Sequence, residues 1–193
     1  MSLGTLILHT VPLSFAAGLN VYATVAVIGL CGRYNLVALP ESLHAFTHPL
    51  VIGAAVAMFL IEFVADKIPW LDSIWDAVHT IIRPLGGAFI AVTALGDASP
   101  AAEVIAALVG GSTAMTTHLT KAGTRAAVNT SPEPFSNWLL SLGEDVLAVA
   151  ISYGALSHPF LALAIVGALL LIIFACASLV IRAVRRRFSR RPA

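Results

Sequence analysis

Long uncharged stretches separated by short polar turns dominate the chain, and they predict membrane-spanning helices. No acidic or basic side chain occurs before Arg33, and residues 6–30 are apolar apart from His9 and a few small polar residues. A helix needs about 20 mostly apolar residues to cross the hydrocarbon core of a bilayer. We therefore predict a first span over residues 6–30. It lacks the positively charged start of a cleaved secretory signal, so we expect it to be retained.

Five further spans follow from the same pattern. The run from Val146 to Ile181 contains no ionised residue, and one helix of that length would overshoot a bilayer roughly 30 Å thick. Pro159 cannot donate a helical hydrogen bond and its ring clashes with the preceding turn, so we divide this run at residues 157–159. A polar turn at residues 96–100 separates two more spans. The predicted spans after the first are 49–66, 71–95, 102–125, 135–156 and 160–181.

Composition supports this interpretation. Hydrophobic residues make up 59% of the chain, charged residues 11%, and the mean hydropathy is +0.92, whereas a soluble domain is about 45–50% apolar. We expect an all-α, polytopic membrane bundle of about six transmembrane helices, forming a single domain over residues 1–181.

Residues 182–193 form a basic tail with six arginines. Lys and Arg concentrate in cytoplasmic loops, so the tail is expected inside, and six spans then place both termini in the cytoplasm. We interpret the tail as a topology signal and expect no nucleic-acid partner. The expected location is the bacterial cytoplasmic (inner) membrane.

A repeated motif suggests an internal duplication. A shift of 92 residues aligns Gly18 with Gly110, and the arrangement Arg-x6-Pro-Glu occurs at Arg33 and again at Arg125. We predict repeats over residues 1–96 and 102–181; with three spans each, the second is inverted, a recurrent design of secondary transporters. The two loops are either equivalent gates or simple helix caps. The possible gate residues are Arg33, Pro40 and Glu41 in one loop and Asn129, Pro132 and Glu133 in the other.

Ionisable residues inside the predicted spans are the strongest functional signal, because charges at membrane depth are costly and usually face an interior cavity. Asp72, Asp76, His79 and Arg83 are spaced by four, three and four residues and share one helix face. The alternative is an amphipathic interfacial turn. The candidate pathway residues are Glu62, Asp66, Asp72, Asp76, His79, Arg83, His118, Lys121, Arg125, Glu144 and Asp145.

Two acidic pairs need partners. Glu62 and Asp66 end the second span one turn apart, and they either pair with Arg83 or Lys121 or mark an ordinary helix end. The Glu144–Asp145 pair is flanked by apolar sequence on both sides. We expect Asp76, Arg83, Lys121 and Glu144 to converge in one aqueous cavity.

Two long stretches carry a family resemblance. They are EFVADKIPWLDSIWDAVHTIIRP, from Glu62 to Pro84, and HLTKAGTRAAVNTSPEPFSN, from His118 to Asn137. Together they resemble a bacterial family known as domain-of-unknown-function family 4126, over nearly the whole chain. The resemblance implies membership and brings no activity with it.

Three functions fit these residues. The leading hypothesis is a small transporter or permeation pathway for a polar or charged solute or ion, with proton-coupled transport as one form of it. The second is a membrane-embedded enzyme acting on a lipid headgroup, with Asp72, Asp76 and His79 as candidate ligands of a divalent metal such as magnesium; no other cofactor is evident. The third is a structural or partner subunit of the bilayer, whose polar residues hold helices together. A homodimer is possible, supported by the Gly86-Gly87 pair.

Overall fold

The computed structural model describes residues 3–129 and 135–189, and within these ranges it is helical without strands. The element bounds follow from clear local signals, including Pro in the first turn of α3, α4 and α5. In chain order the elements are α1 Leu3–Leu19, α2 Val21–Arg33, a 3₁₀ helix Glu41–Thr47, α3 Pro49–Ala65, α4 Pro69–Leu95, α5 Pro100–Val128, α6 Phe135–Ser157 and α7 Pro159–Ser189.

Two predicted breaks are confirmed. Helix α6 ends at Ser157 and α7 begins at Pro159, as expected for proline after an apolar run. Between α4 and α5, Gly96 adopts a positive φ of 68°, which glycine accepts without a steric penalty. The Ser99 hydroxyl then accepts a hydrogen bond from the Ala102 amide at 3.3 Å and caps α5.

The prediction of one continuous helix over residues 6–30 is wrong. The helix is broken at Asn20, whose backbone is extended with φ −155° and ψ 103°, and this residue separates α1 from α2. The Asn20 side chain accepts a hydrogen bond from the Ala23 amide at 2.9 Å and caps the new helix. A single asparagine in an apolar run thus begins a second helix.

The protein is a helical membrane protein, but length and composition support fewer spans than predicted. Among the described residues, three helices are long and apolar enough to cross a membrane, namely α4, α6 and α7. A fourth crossing results if the 3₁₀ helix and α3, bent by 66°, form one span. Helices α1 and α2 are short apolar helices, and α5 carries many Thr residues and two buried basic side chains.

Helix α1 packs against α4, α5, α6 and α7. Its contact with α4 and α5 is very close at three glycines, Gly18, Gly87 and Gly110, which we call the glycine seam. A Cβ atom added at Gly110 would lie 2.8 Å from the Gly87 carbonyl oxygen and 2.8 Å from the Ser14 hydroxyl oxygen. Small residues let helix backbones approach closely, so the seam joins three helices without space between them.

Candidate functional site

All eleven pathway candidates are buried, and they meet at one end of the bundle. At this end α3 and α5 finish, α4 and α6 begin, and the break between α1 and α2 faces them. We call these side chains the charged cluster: Glu62, Asp66, Asp72, Asp76, His79, Arg83, His118, Lys121, Arg125, Glu144 and Asp145.

Arg83 anchors the deep side of the charged cluster. Its Nη2 donates to Glu62 Oε1 at 2.6 Å, and its Nη1 donates to the Gly18 carbonyl at 3.2 Å and to His118 Nδ1 at 2.9 Å. A guanidinium group only donates, so His118 Nδ1 is the acceptor and the ring is neutral, with its proton on Nε2. That Nε2 lies 3.0 Å from the Thr80 hydroxyl oxygen, which can accept its hydrogen bond.

Lys121 lies among four oxygen atoms, which we call the oxygen cage. Its Nζ is 3.1 Å from Asp66 Oδ2, 3.4 Å from Glu62 Oε1 and 3.7 Å from Glu144 Oε2. The fourth oxygen is the Leu19 carbonyl at 3.3 Å, at the end of α1. The ammonium group is therefore held by α1, α3 and α6 together.

Arg125 joins the ends of three helices. Its Nη2 lies 2.8 Å from Asp72 Oδ1 and 3.0 Å from Asp66 Oδ2, which ties the end of α5 to the turn between α3 and α4. Its Nη1 donates to both the carbonyl and the side-chain oxygen of Asn137, each at 3.0 Å. The sequence analysis did not identify Asn137. The available signal was an asparagine near the start of an otherwise apolar helix.

The helix break contributes to the same cluster. Asn20 Nδ2 donates to Asp145 Oδ1 at 3.0 Å, so one amide both caps α2 and binds a buried carboxylate. The last carbonyls of α1, on Gly18 and Leu19, accept hydrogen bonds from Arg83 and Lys121. A helix C-terminus carries partial negative charge, and these two cations lie where it favours them. The sequence analysis did not identify Asn20.

Negative charge exceeds positive charge in the charged cluster, which holds six carboxylates against one lysine and two arginines. Several carboxylate oxygens also lack a hydrogen-bond donor among the described residues. Burying a charged oxygen without compensation is costly, so the donors among the described residues leave these oxygens available to a further group. These oxygens are Glu62 Oε2, Asp66 Oδ1, Asp76 Oδ1, Glu144 Oε2 and Asp145 Oδ2.

We expect Asp76, Arg83, Lys121 and Glu144 to share one aqueous cavity; the structure brings the four side chains together, but of the four only Asp76 lines the cavity between α4 and α5. Asp76 Oδ1 lies 3.9 Å from Arg83 Nη1, and Lys121 links Glu62 to Glu144. This cavity, of about 230 Å³, reaches only the outer side of the cluster, where Asp72, Asp76 and Arg125 line it. The oxygen cage lies deeper and is closed by its own ion pairs.

The expected metal ligands are not arranged as a metal site. No three His, Cys, Asp or Glu side chains in the described ranges are grouped as metal ligands would be. His79 is held by the Trp75 carbonyl at 2.8 Å and the Tyr22 hydroxyl at 3.1 Å. Asp72 instead accepts hydrogen bonds from Arg125 and from Asn129.

The possible gate residues differ in environment. Arg33 is exposed at the end of α2, whereas Arg125, its counterpart in the duplication, is buried in the charged cluster. Pro40 and Glu41 line a recess of about 770 Å³ at the opposite end of α4 and α5. Asn129 Nδ2 donates to Asp72 Oδ2 at 2.7 Å, and Pro132 and Glu133 lie outside the described residues.

Comparison with known proteins gives a family without an activity. No curated protein matches the chain, and no solved structure matches it. The model of the family described as Domain of unknown function (DUF4126) matches residues 7–178, which include every member of the charged cluster. The chain therefore belongs to the DUF4126 family.

Proposed function

We propose that the protein is a small membrane transporter or permeation pathway for a polar or charged solute, which passes through the charged cluster. The observation that carries this proposal is the set of buried carboxylate oxygens that have no hydrogen-bond donor in residues 3–129 and 135–189. A cluster that serves only to hold helices together gains by satisfying every buried polar group. Unsatisfied oxygens at membrane depth are instead typical of a site that binds a further group.

The helix break supports the proposal. Transporter sites are commonly formed by discontinuous helices whose ends point at the substrate or coupling ion. Here α1 ends and α2 begins at Asn20, beside Asp145 and Lys121. Irregular backbone at membrane depth is tolerated where it is buried in protein or lines a cavity, and the charged cluster supplies such surroundings.

The proposal includes a topology of six crossings. Helices α1 and α2 together form the first crossing, which is broken, and the 3₁₀ helix with α3 forms the second. Helices α4, α5, α6 and α7 form one crossing each. Both termini then lie in the cytoplasm of a bacterial cell. One pair of element bounds supports two inverted repeats, because α3 ends at Ala65 and α6 ends at Ser157, again 92 residues apart, whereas α5 is continuous where α1 and α2 are separated. The charges themselves are not repeated, since α7 is uncharged from Pro159 to Ile181.

Access from the two sides of the membrane is unequal. The cavity between α4 and α5 leads to Asp76 at one end of the bundle. The glycine seam, at Gly87 and Gly110, lies between the cluster and the recess at the other end. Transport then requires the three helices of the seam to separate, so that the cluster opens to the recess.

A structural subunit is the second candidate function. It is favoured by the pairing of every basic group in the cluster, since Arg83, Lys121 and Arg125 each contact at least two carboxylates. The two functions differ in one requirement. Transport needs water to reach the cluster, and a packed scaffold excludes it.

Accessibility of introduced cysteines tests the proposal. Single cysteines replace Asp76, Lys121 or Glu144 in a Cys31→Ala, Cys176→Ala chain, and membrane-impermeant thiol reagents are applied from each side. We expect labelling at all three positions, most rapidly at Asp76, which lines the cavity.

Ala148→Cys is the matched control. Ala148 lies one turn beyond Glu144 on α6, but it is fully buried in an apolar cluster with Phe15 and Val166. It should stay unlabelled from both sides. Absence of labelling at Lys121 and Glu144 as well as Ala148 would contradict a water-accessible pathway and favour the structural subunit.

A further inference from the structure

A long apolar groove lies between α5 and α7, on the surface away from the charged cluster. Helix α7 packs against α1 and α6, and a cavity of about 920 Å³ separates its second half from α5. The α7 wall runs from Ile172 to Ile181, and the α5 wall runs from Thr116 to Ala127. Phe174 and Val180 on the α7 wall are exposed. We call this feature the α5–α7 groove.

The threonines of the α5 wall do not make the groove hydrophilic. Thr116, Thr120 and Thr124 each donate their hydroxyl hydrogen to the carbonyl four residues earlier, in each case at 2.8 Å. Such back-bonding satisfies the hydroxyl within the helix, so it needs no water. Both walls of the groove therefore suit a hydrocarbon chain.

The groove has the length of one bilayer leaflet. Ile172 and Ile181 lie about 14 Å apart along α7 at 1.5 Å per residue, and half of a hydrocarbon core roughly 30 Å thick is about 15 Å. Arg185 follows Ile181 by four residues, so it continues the same side of the helix about 6 Å further along. The headgroup layer adds about 5–7 Å to each side of the core. Arg185 thus lies at headgroup depth when the groove lies in the leaflet.

The arginines at this end of the groove have charges to share. Arg182, Arg185 and Arg186 are exposed, and none of them forms an ion pair with another described residue, unlike the arginines of the charged cluster. No acidic residue follows Asp145 in the sequence. Guanidinium groups bind phosphate through charge-assisted, often bidentate hydrogen bonds. The end of the groove is therefore complementary to an anionic headgroup.

We propose that the α5–α7 groove binds one anionic phospholipid, whose acyl chain lies along the groove and whose phosphate contacts the arginines that follow Ile181. Basic sites beside transmembrane helices bind anionic headgroups in this way. A second copy of the chain fits less well. Two copies in one membrane have the same orientation, so a second α7 would bring its own arginines to the same level, where like charges repel. The inference is independent of the transport proposal.

Titration with lipid, followed by native mass spectrometry, tests the inference. The full-length protein is purified in detergent and titrated with phosphatidylglycerol or with phosphatidylcholine that carries the same acyl chains. Attraction of one basic residue to anionic lipid is worth about 1 kcal/mol, which is about fivefold in affinity. We expect the first phosphatidylglycerol to bind at least about fivefold more tightly than the first phosphatidylcholine.

Charge variants test the headgroup contact. Arg182→Gln, Arg185→Gln and Arg186→Gln combined should bring the ratio of the two affinities to about one, because the guanidinium charges are removed. These side chains are exposed, so the combined variant should fold normally. Arg33→Gln is the control, since Arg33 is also exposed but lies at the end of α2. It should leave the ratio unchanged.

A matched pair of volume variants tests the position of the chain. Ala177→Trp fills the groove and leaves every charge in place. An indole that displaces two methylene groups of the lipid, at about 0.8 kcal/mol each, should lower the affinity for both lipids about tenfold or more. Ala175→Trp is the control, because Ala175 is equally exposed on α7 but lies outside the groove. It should bind both lipids as the unaltered protein does.

Each outcome decides for or against the inference. Equal affinities of the unaltered protein for the two lipids would overturn it, as would a preference that survives the three arginine changes. Equal lipid binding by Ala177→Trp and Ala175→Trp would show that the lipid lies elsewhere. Dimers that Ala177→Trp disrupts, without any lipid preference, would assign the groove to a second copy. Cysteine labelling at the charged cluster tests transport separately, so either proposal can fail alone.

Discussion

The glycine seam and the charged cluster are neighbours in one helix group and are built on opposite principles. At the seam, α1, α4 and α5 touch through Gly18, Gly87 and Gly110, where an added Cβ atom would collide with backbone or side-chain atoms. At the cluster, long charged side chains lie between the same helices, and several carboxylate oxygens lack donors among the described residues. The seam favours one packed arrangement, and the cluster leaves binding capacity unused. The proposed transport needs both, because one region would close the pathway while the other would bind the solute.

The largest expected effect comes from breaking the cluster. Arg83→Ala leaves Glu62 without its 2.6 Å partner and His118 without its donor, and removal of one member of a buried ion pair costs about 3–5 kcal/mol. We expect a loss of this size in the free energy of unfolding, measured by denaturant titration in mixed micelles. Arg33→Ala is the matched control, since Arg33 is exposed, and it should change stability by less than about 0.5 kcal/mol.

A second variant separates charge from packing in that result. Combining Arg83→Met with Glu62→Leu replaces the pair by apolar side chains of similar length. Such replacements are often neutral or stabilising, so the double variant should recover most of the lost stability. If the double variant is as unstable as Arg83→Ala, the pair acts through shape rather than charge, and the contrast between the two regions is weakened.

The seam should respond to added volume. Gly110→Ala places a methyl group 2.8 Å from the Gly87 carbonyl oxygen, and overpacking of this kind costs about 1–3 kcal/mol. Gly123→Ala, on the same helix, is the control because its added methyl group meets nothing within 4 Å. It should stabilise by up to about 1 kcal/mol through helix propensity. Equal effects of the two substitutions, in the same unfolding measurement, would show that the seam is not tightly packed.

The smallest effect is expected at the helix break. Asn20→Ala removes the α2 cap and the donor to Asp145, with an expected loss of about 1–2 kcal/mol. Ser99→Ala removes only an exposed cap on α5 and should cost about 0.5–1 kcal/mol. A smaller loss for Asn20→Ala than for Ser99→Ala would show that the hydrogen bond to Asp145 contributes nothing to stability.

The residues of the charged cluster can be predicted from the sequence, because an isolated charge within an apolar run is costly unless it is buried beside a partner. Glu144 lies near the middle of its predicted span, far from either aqueous end, so burial beside a charged partner is the least costly arrangement. The periodicity of Asp72, Asp76, His79 and Arg83 likewise places them on one helix face. Their actual partners depend on three-dimensional packing, and sequence spacing carried no information about the pairing of Arg125 with Asp72.

The helix break could not be predicted for a related reason. Asn20 is one polar residue in a long apolar run, and an asparagine there is compatible with a continuous helix. The break is stabilised by Asp145, Arg83 and Lys121, which satisfy Asn20 and the last carbonyls of α1 from distant parts of the chain. We also predict a span over residues 102–125, but α5 is not among the helices that are apolar enough to cross a membrane, because it carries many Thr residues together with Lys121 and Arg125.

Uptake of small polar and charged solutes into proteoliposomes tests the central claim most directly. The account predicts that vesicles with the unaltered protein take up at least one radioactive solute of a set of sodium, phosphate, glycine and glucose faster than protein-free vesicles do. Glu144→Gln should abolish this uptake. His158→Gln should preserve it, because His158 is exposed in the turn between α6 and α7. Uptake of every solute no faster than in protein-free vesicles, or uptake unchanged by Glu144→Gln, would contradict the account.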